Sequence, residues 1–257
     1  MNILVNGIAG HMGREVARLC EEGCRGACLL GGVDPCGSLP DTQVWQSFAD
    51  LPKTADISCI VDFSHHSCAP ALLSFAKERR LPVVVATTGH TEEELAVIRA
   101  AANEIPVFFS ANMSYGVALL VELAKQAAAA MPEADIEIIE KHHNRKLDAP
   151  SGTALMLAEE ICRVREGAYA KPGRAGKAKR ETGEIGIHAV RLGNIVGEHE
   201  VIIGTQSQTI TLKHEAHSRA LFAEGALAAA AFLVTCPPGL YDMKSLVGGR
   251  QREVALC

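Results

Sequence analysis

Fifteen consecutive residues, Glu140-Lys141-His142-His143-Asn144-Arg145-Lys146-Leu147-Asp148-Ala149-Pro150-Ser151-Gly152-Thr153-Ala154, gather most of the reactive side chains of this chain. Two histidines stand next to each other, and Lys146 follows His142 by four positions with Arg145 beside it. A histidine titrates near neutrality, so it can give a proton to an atom that gains electrons. The neighbouring cations would attract an anionic substrate. Ser151 is a good helix N-cap, and Pro150 restricts the approach to that helix. Gly152 and Thr153 would then present N–H groups at the helix start, a natural seat for a carboxylate. A proton donor, a fixed cation and amides in one small volume suit a small dicarboxylate. Asp148 reads as structural, orienting the loop or a cation.

The elements flanking this stretch are a β-like segment, Asp135 to Ile139, and a helical pattern from Ala154 to Ile161. Earlier in the chain, the apolar strand Asn2 to Asn6 runs directly into Gly7-Ile8-Ala9-Gly10-His11-Met12-Gly13, followed by a helix with Val16, Leu19 and Cys20 at core-facing spacing. Glycines at G-x-x-G-x-x-G spacing let the backbone turn tightly against a pyrophosphate, while the helix supplies N–H groups and a positive dipole end. A second strand ends at Asp34, about twenty residues on, where a carboxylate accepts hydrogen bonds from a ribose. Pro35 and Cys36 follow it without a cation, so NADH is expected to be favoured over NADPH. The competing reading is that Asp34 only caps a turn before Pro35.

Repeated strand–turn–helix units continue to Phe109, which predicts a parallel sheet with covering helices. Ligands bind beyond the carboxyl ends of such strands. Those ends carry Phe63-Ser64, Ala86-Thr87-Thr88 and Ser110-Ala111-Asn112-Met113, small and hydroxylated residues suited to a ribose and a nicotinamide. His65 and His66 read as exposed loop residues. Gly116 to Met131 forms an alanine-rich helix, after which the pattern changes. Segments 184–190, 198–203 and 208–213 alternate in polarity, as an antiparallel or mixed sheet with one covered face does. Residues 165–183, rich in Lys, Gly and Arg, read as a mobile excursion. A helix from Ser218 to Leu233 returns to the first style and stops at Pro237-Pro238-Gly239. The expected fold is therefore α/β: a Rossmann-like parallel-sheet domain of residues 1–114 and 219–257, and an α+β domain of residues 115–218 with a mixed sheet that binds substrate and mediates oligomerisation.

Composition narrows the function. The chain has 257 residues, 48% hydrophobic and 21% charged, with a net charge of −5. That balance belongs to a soluble globular protein and argues against a nucleic-acid or acidic-membrane partner. The first residues lack the basic segment of a secretory leader, and no apolar run approaches the ~20 residues needed to cross a bilayer. Nine scattered cysteines, without C-x-x-C pairs, point to a reducing cytoplasm and away from zinc or a disulfide framework. No metal site is expected.

The sequence Glu140-x-His142-His143-x-x-Lys146-x-Asp148-Ala149-Pro150-Ser151-Gly152-Thr153-Ala154 resembles the signature of the 4-hydroxy-tetrahydrodipicolinate reductase family, historically dihydrodipicolinate reductase, of bacterial lysine biosynthesis. The resemblance extends through Gly7 to Gly13, Ala86 to Gly89, Asn112 to Gly116 and Val190 to His199. It implies a two-domain, usually tetrameric enzyme that reduces a cyclic imine dicarboxylate with NADH or NADPH. By position, His142 resembles the proton donor and Lys146 its partner at the substrate. His143, Gly152 and Thr153 resemble residues holding the dicarboxylate, with Ser151 beside them. Gly7, Ile8, Ala9, Gly10, His11, Met12, Asp34, Ala86, Thr87, Thr88, Ser110, Ala111, Asn112 and Met113 resemble cofactor contacts, to which Phe63 is added from its strand end. Two departures stand out. Ala86 replaces a common glycine, which would tighten the nicotinamide pocket, and Asp34 lacks the arginine that follows it in some dual-cofactor members. Two other readings remain: a two-domain dehydrogenase acting on aspartate or a related amino acid, and a redox-sensing regulator that binds NADH. The first would not require the His-His-x-x-Lys loop, and the second would normally carry a DNA-binding helix or a basic face.

Overall fold

The strands of the first half are short and almost wholly apolar, as sheet buried on both faces must be. In the computed structural model, which describes residues 1–254 and side-chain surroundings as far as residue 248, they run β1 (Asn2–Asn6), β2 (Cys28–Val33), β3 (Val44–Trp45), β4 (Cys59–Asp62), β5 (Val83–Val85) and β6 (Pro106–Phe109). Helices α1 (His11–Glu21), α2 (Ala69–Arg79) and α3 (Glu92–Ala101) are set among them. The second half holds α4 (Tyr115–Ala130), β7 (Asp135–His142), α5 (Gly152–Val164), β8 (Tyr169–Pro172), β9 (Glu184–Arg191), β10 (Gly197–Gly204) and β11 (Thr209–Ala216). The chain closes with α6 (Ala220–Leu233), β12 (Gly239–Tyr241) and α7 (Met243–Val254). It divides into two units, one of residues 1–115 together with those from Ala220 onward, the other Gly116–Arg219. The last three positions of the expected 219–257 segment lie outside the described residues.

The first unit is a seven-stranded parallel sheet in the order β12-β6-β5-β4-β1-β2-β3. The order reverses between β1 and β4, the place where an open α/β sheet leaves a crevice for a ligand. Leu4, Ile60, Val83, Val85 and Val107 pack with Leu72, Phe75 and Ile98 to form its core. Helix α6 is apolar nearly all round, as a helix packed between α1 and the sheet must be. Strand β12, following the diproline, was not evident from the sequence; it adds itself in parallel to the edge strand β6.

The second unit is a mixed sheet in the order β11-β10-β7-β9-β8. Strand β7 pairs antiparallel with β10 and parallel with β9. Period-2 residues Ile136, Ile138, Ile185, Ile187, Val201 and Ile203 meet Leu120, Val121 and Ala124 of α4 and Leu157, Ala158 and Ile161 of α5. Two expectations are corrected. The segment expected to end near Ile139 continues to His142, because β9 and β10 pair with it on both sides through Lys141. The stretch 165–183, expected to be a mobile excursion, contains β8, and three of its cations are tied down. Lys171 and Arg174 each lie 2.9 Å from a different oxygen of buried Glu184, and Arg180 binds Asp135 at 2.9 Å and also Glu137.

Candidate active site

Three glycines shape the turn after β1. Gly7 has φ +79°, and a Cβ built on it would stand 2.8 Å from the Phe63 carbonyl oxygen. A Cβ on Gly13 would lie 2.1 Å from the Gly7 carbonyl oxygen and one on Gly10 3.2 Å from the same atom. Helix α1 is therefore pressed against the end of β1. Its N-cap is Gly10, which makes no side-chain cap, and no acidic residue occupies its first turn. The first N–H groups of such a helix need acceptors from outside it, and an anion is the natural one. The residues present fit a dinucleotide.

Beside this turn lies a cavity of about 450 Å³, lined by His11, Met12, Phe63, Ala86, Thr87, Thr88, Ala111 and Met113. Gly7, Ile8, Ala9 and Gly10 form the turn itself, although the Ile8 side chain is fully buried and faces Gly32. Ser110 and Asn112 shape the next loop: the Ser110 hydroxyl donates to the Asn112 carbonyl at 2.8 Å, and Asn112 Oδ1 accepts the Ser114 N–H at 2.9 Å. Asp34 accepts from the N–H groups of Ala9, Cys36 and Gly37 at 3.1, 3.1 and 2.9 Å. It caps the turn after β2 and also pins the glycine loop. His65 is exposed as expected, but His66 is half-buried, lines the cavity and meets Glu94 at 2.8 Å.

Beneath the strand ends sits a polar cluster that sequence reasoning did not pick out. Buried Asp62 accepts from Asn6 at 2.8 Å, from the Ser64 hydroxyl at 2.6 Å and from the Thr87 hydroxyl at 2.8 Å. It locks the ends of β1, β4 and β5 in register. The signal available was a polar residue closing each of two otherwise apolar strands. Thr87 therefore faces the cavity with its hydroxyl already committed.

The second unit holds the two adjacent histidines and the lysine of the reactive loop. His142, 9% exposed, is the last residue of β7. Two positions earlier on the same face, Glu140 is fully buried and meets His142 Nδ1 at 2.6 Å. Arg191, at the end of β9, forks onto both Glu140 oxygens at 2.8 and 2.7 Å and reaches the Asp148 carbonyl at 2.6 Å. The Ser151 N–H donates to Glu140 at 3.0 Å. Burial alone would raise the Glu140 pKa, but Arg191, His142 and the Ser151 N–H together hold it below the ordinary glutamate value.

Around this centre the expected loop residues divide. Lys146 pairs with Asp148 at 2.8 Å and remains partly exposed, its turn closed by the Lys146 N–H donating to the His143 carbonyl. The Lys146 ammonium holds the Asp148 carboxyl below its usual range. Arg145 instead binds Asn194 at 2.9 Å on the surface. His143 is half-buried, and its pKa is depressed by burial and then by Arg145, Arg219, His142 and Lys146. Ser151 is buried; its Oγ accepts the Ala154 N–H and lies 3.0 Å from His199 Nε2. That hydroxyl serves the cap, so the Ser151 contribution to an anion site is the shape of the turn. Gly152 is exposed at the first position of α5, and Thr153 follows it.

Glu140, Arg191 and His199 were part of the resemblance but had no role assigned from the residues. A carboxylate on the apolar period of Ile136 and Ile138 was the available signal, since a buried charge requires partners. His199 stands edge-on to His142 at 5.2 Å, and burial, followed by the charge of His142, pushes its pKa down to about 4. Among the described residues no cluster of His, Cys, Asp and Glu is arranged to hold a metal, and no helix is long and apolar enough to cross a membrane.

Residues 1–113 match the family described as "Dihydrodipicolinate reductase, N-terminus", and residues 116–247 match "Dihydrodipicolinate reductase, C-terminus". The chain belongs to the dihydrodipicolinate reductase family. A 4-hydroxy-tetrahydrodipicolinate reductase from Caldanaerobacter subterraneus subsp. tengcongensis is 46% identical over 252 residues, covering 96% of this chain and 98% of its own. One from Alkaliphilus oremlandii is 43% identical over 249 residues, again covering 96% and 98%. Among solved structures, the dipicolinate-bound dihydrodipicolinate reductase from Paenisporosarcina sp. TG-14 superposes with a TM-score of 0.78 at 25% identity, covering 94% of this chain and 97% of that one. The diaminopimelate dehydrogenase of C. glutamicum, at 16% identity and a TM-score of 0.57, shares the fold. As a member of the dihydrodipicolinate reductase family, the chain is an oxidoreductase that uses a nicotinamide nucleotide.

Proposed function

We propose that this chain reduces 4-hydroxy-tetrahydrodipicolinate to tetrahydrodipicolinate in diaminopimelate and lysine biosynthesis, with NADH or NADPH as reductant. The observation that carries the reading is the turn from β7 to α5. It brings a carboxylate-bound imidazole, a lysine and a helix N-terminus together in a chain matched by this family over nearly its whole length.

The substrate carries two carboxylates and a cyclic imine. Loss of its 4-hydroxyl as water leaves a conjugated ring. The Gly7–Met12 turn and the cavity lined by Ala86, Thr88 and Met113 hold the nicotinamide nucleotide, which supplies a hydride when bound. His142 delivers the matching proton to the enamine carbon. Lys146, His143 and the amides at Gly152 and Thr153 grip the carboxylates and restrain the ring, the orientation on which such transfers depend. A positioned acid of this kind accelerates a reaction roughly a hundred- to ten-thousandfold.

The cofactor preference is for NADH. Three N–H groups fix the Asp34 carboxylate at the end of β2, the ribose end of a Rossmann crevice, and Pro35, Cys36 and Gly37 bring no cation to a 2′-phosphate. We also place the protein in the cytoplasm as a homotetramer. All eight described cysteines are free, as in a reducing compartment. The face of the mixed sheet away from α4 and α5 carries Ile139 and Ile202 among Lys141 and Glu198, a surface suited to a second subunit. Light scattering on the purified protein tests the assembly, and a monomer would overturn it.

The deciding experiment generates the substrate from pyruvate and aspartate semialdehyde in a coupled assay and follows loss of NADH. Consumption that depends on both precursors is expected. Absence of turnover, or turnover on free aspartate instead, would overturn the reading. A higher kcat/KM with NADPH than with NADH would remove only the cofactor preference.

A further inference from the structure

Glu140 has no part in the proposed reaction, yet it is fully buried beside His142, and its hydrogen-bond partners are His142, Arg191 and the Ser151 N–H. One oxygen takes His142 Nδ1 at 2.6 Å and an Arg191 nitrogen at 2.8 Å; the other takes the second Arg191 nitrogen at 2.7 Å and the Ser151 N–H at 3.0 Å. Guanidinium and backbone N–H groups only donate, and an ionised carboxylate only accepts. With Arg191 forked across it, Glu140 is held ionised. The contact to His142 must then be an N–H on Nδ1 donating to Glu140.

The other face of the ring is equally constrained. A Cβ on Gly197 would stand 3.0 Å from His142 Nε2, so the glycine keeps the space in front of that nitrogen open. His199, anchored by Ser151 Oγ at 3.0 Å, stands edge-on to the ring. Resting on the reading of His142 as proton donor, we propose that Glu140 is a positioning residue that fixes the His142 proton on Nδ1 and leaves Nε2 as the atom that delivers a proton to substrate. In the step, the Nε2–H bond of the imidazolium breaks and its electron pair stays on nitrogen. A C–H bond forms at the enamine carbon, and the other proton stays bonded to Nδ1, donated to the Glu140 carboxylate. Solvent then returns a proton to Nε2, and nothing in the protein is oxidised or reduced. The same carboxylate receives the Ser151 N–H, so the proton donor and the start of α5, where substrate carboxylates are expected, share one anchor.

The test uses the full chain labelled with 15N-histidine, with the His142 resonances identified by their loss in His142→Gln. The neutral His142 ring is expected to carry its proton on Nδ1 in the wild type and to lose that fixed state in Glu140→Gln. Turnover in Glu140→Gln is expected to fall about ten- to a hundredfold with little change in substrate KM, as loss of an orienting partner does. Glu140→Asp, which keeps the charge, should recover part of it. Should Glu140→Gln fail to fold in a thermal melt, the wild-type tautomer and Glu140→Asp still decide. A wild-type ring protonated on Nε2, or an unchanged tautomer and turnover in a folded Glu140→Gln, would overturn the inference. Normal turnover in His142→Gln would overturn the functional reading instead, while the tautomer, read without turnover, still judges Glu140.

Discussion

Two strand–turn–helix connections in this molecule are built in opposite ways. The turn from β1 to α1 works by omitting side chains. Gly7, Gly10 and Gly13 let backbone approach backbone, and the helix begins with no side-chain cap. The turn from β7 to α5 works by adding them. Glu140, His142, Lys146 and Ser151 crowd it, and α5 begins with a serine whose hydroxyl caps Ala154. The difference fits the roles proposed for the two turns. A pyrophosphate needs only N–H groups and room, which backbone supplies. Moving a proton needs a group that titrates, held in one orientation, which only side chains anchored to something buried can supply.

The largest expected effect is at His142, the proposed proton donor. His142→Gln should lower kcat by roughly a hundred- to ten-thousandfold, while a fluorescence titration shows NADH binding unchanged. Loss of NADH affinity alongside kcat would mean the two turns are not separable. Glycine substitutions then set one turn against the other. In Gly13→Ala the new Cβ must move the Gly7 carbonyl, which lies 2.1 Å from it. A displacement near 1 Å costs on the order of a hundredfold, and NADH affinity should fall by about that factor. Gly152→Ala meets nothing within 4 Å. Its thermal midpoint and NADH affinity should match the wild type, with any loss confined to substrate KM.

The two turns also differed in how readable they were. The glycine turn could be found from its spacing together with its context, because the glycines stand directly between an apolar strand and a helix with obvious ends. The reactive residues of the second turn were visible by type, but their geometry was not. His142 belongs to a strand because β9 pairs with it, while β10 pairs with β7 as far as Lys141, and those pairings span about fifty residues of sequence. Glu140 acquires its meaning from Arg191, and Ser151 from His199, partners 51 and 48 positions away. The edge strands β8 and β12 escaped notice for a similar reason. They are three or four residues long and exist only because β9 and β6 offer an unpaired edge.

Acid sensitivity should likewise reside in the second turn. Burial holds the His199 pKa at about 4 against an ordinary value of 6.5. The folded state therefore binds its proton less readily than the unfolded chain. The sign follows: stability is complete above pH 6.5, declines as pH falls, and the loss levels off near pH 4. At pH 5.5 the loss is on the order of 1 kcal/mol. Glu140, held below its ordinary value, adds a loss in the same direction at lower pH, as its carboxylate is protonated. Urea unfolding at pH 7.5 and 5.5 should show the difference in the wild type, and His199→Gln should reduce it. Equal pH dependence in both proteins would place the acid sensitivity elsewhere.

The smallest expected effect concerns the one side chain on which the glycine turn does depend. Asp34 is the exception to a backbone-built site: its carboxylate receives the Ala9 N–H of the turn itself, as well as those of Cys36 and Gly37. Asp34→Ala removes both the proposed ribose acceptor and this tether. A hydrogen bond to a charged group contributes about 1.5–3 kcal/mol when buried, but Asp34 is partly exposed and water can replace some of its contacts. The KM for NADH should therefore rise only about three- to tenfold. On the proposed NADH preference, removing the Asp34 anion favours a 2′-phosphate, so the KM for NADPH should change less and the difference between the two should narrow. If both KM values rise equally, Asp34 acts through the tether alone, and the first turn is built from backbone without exception.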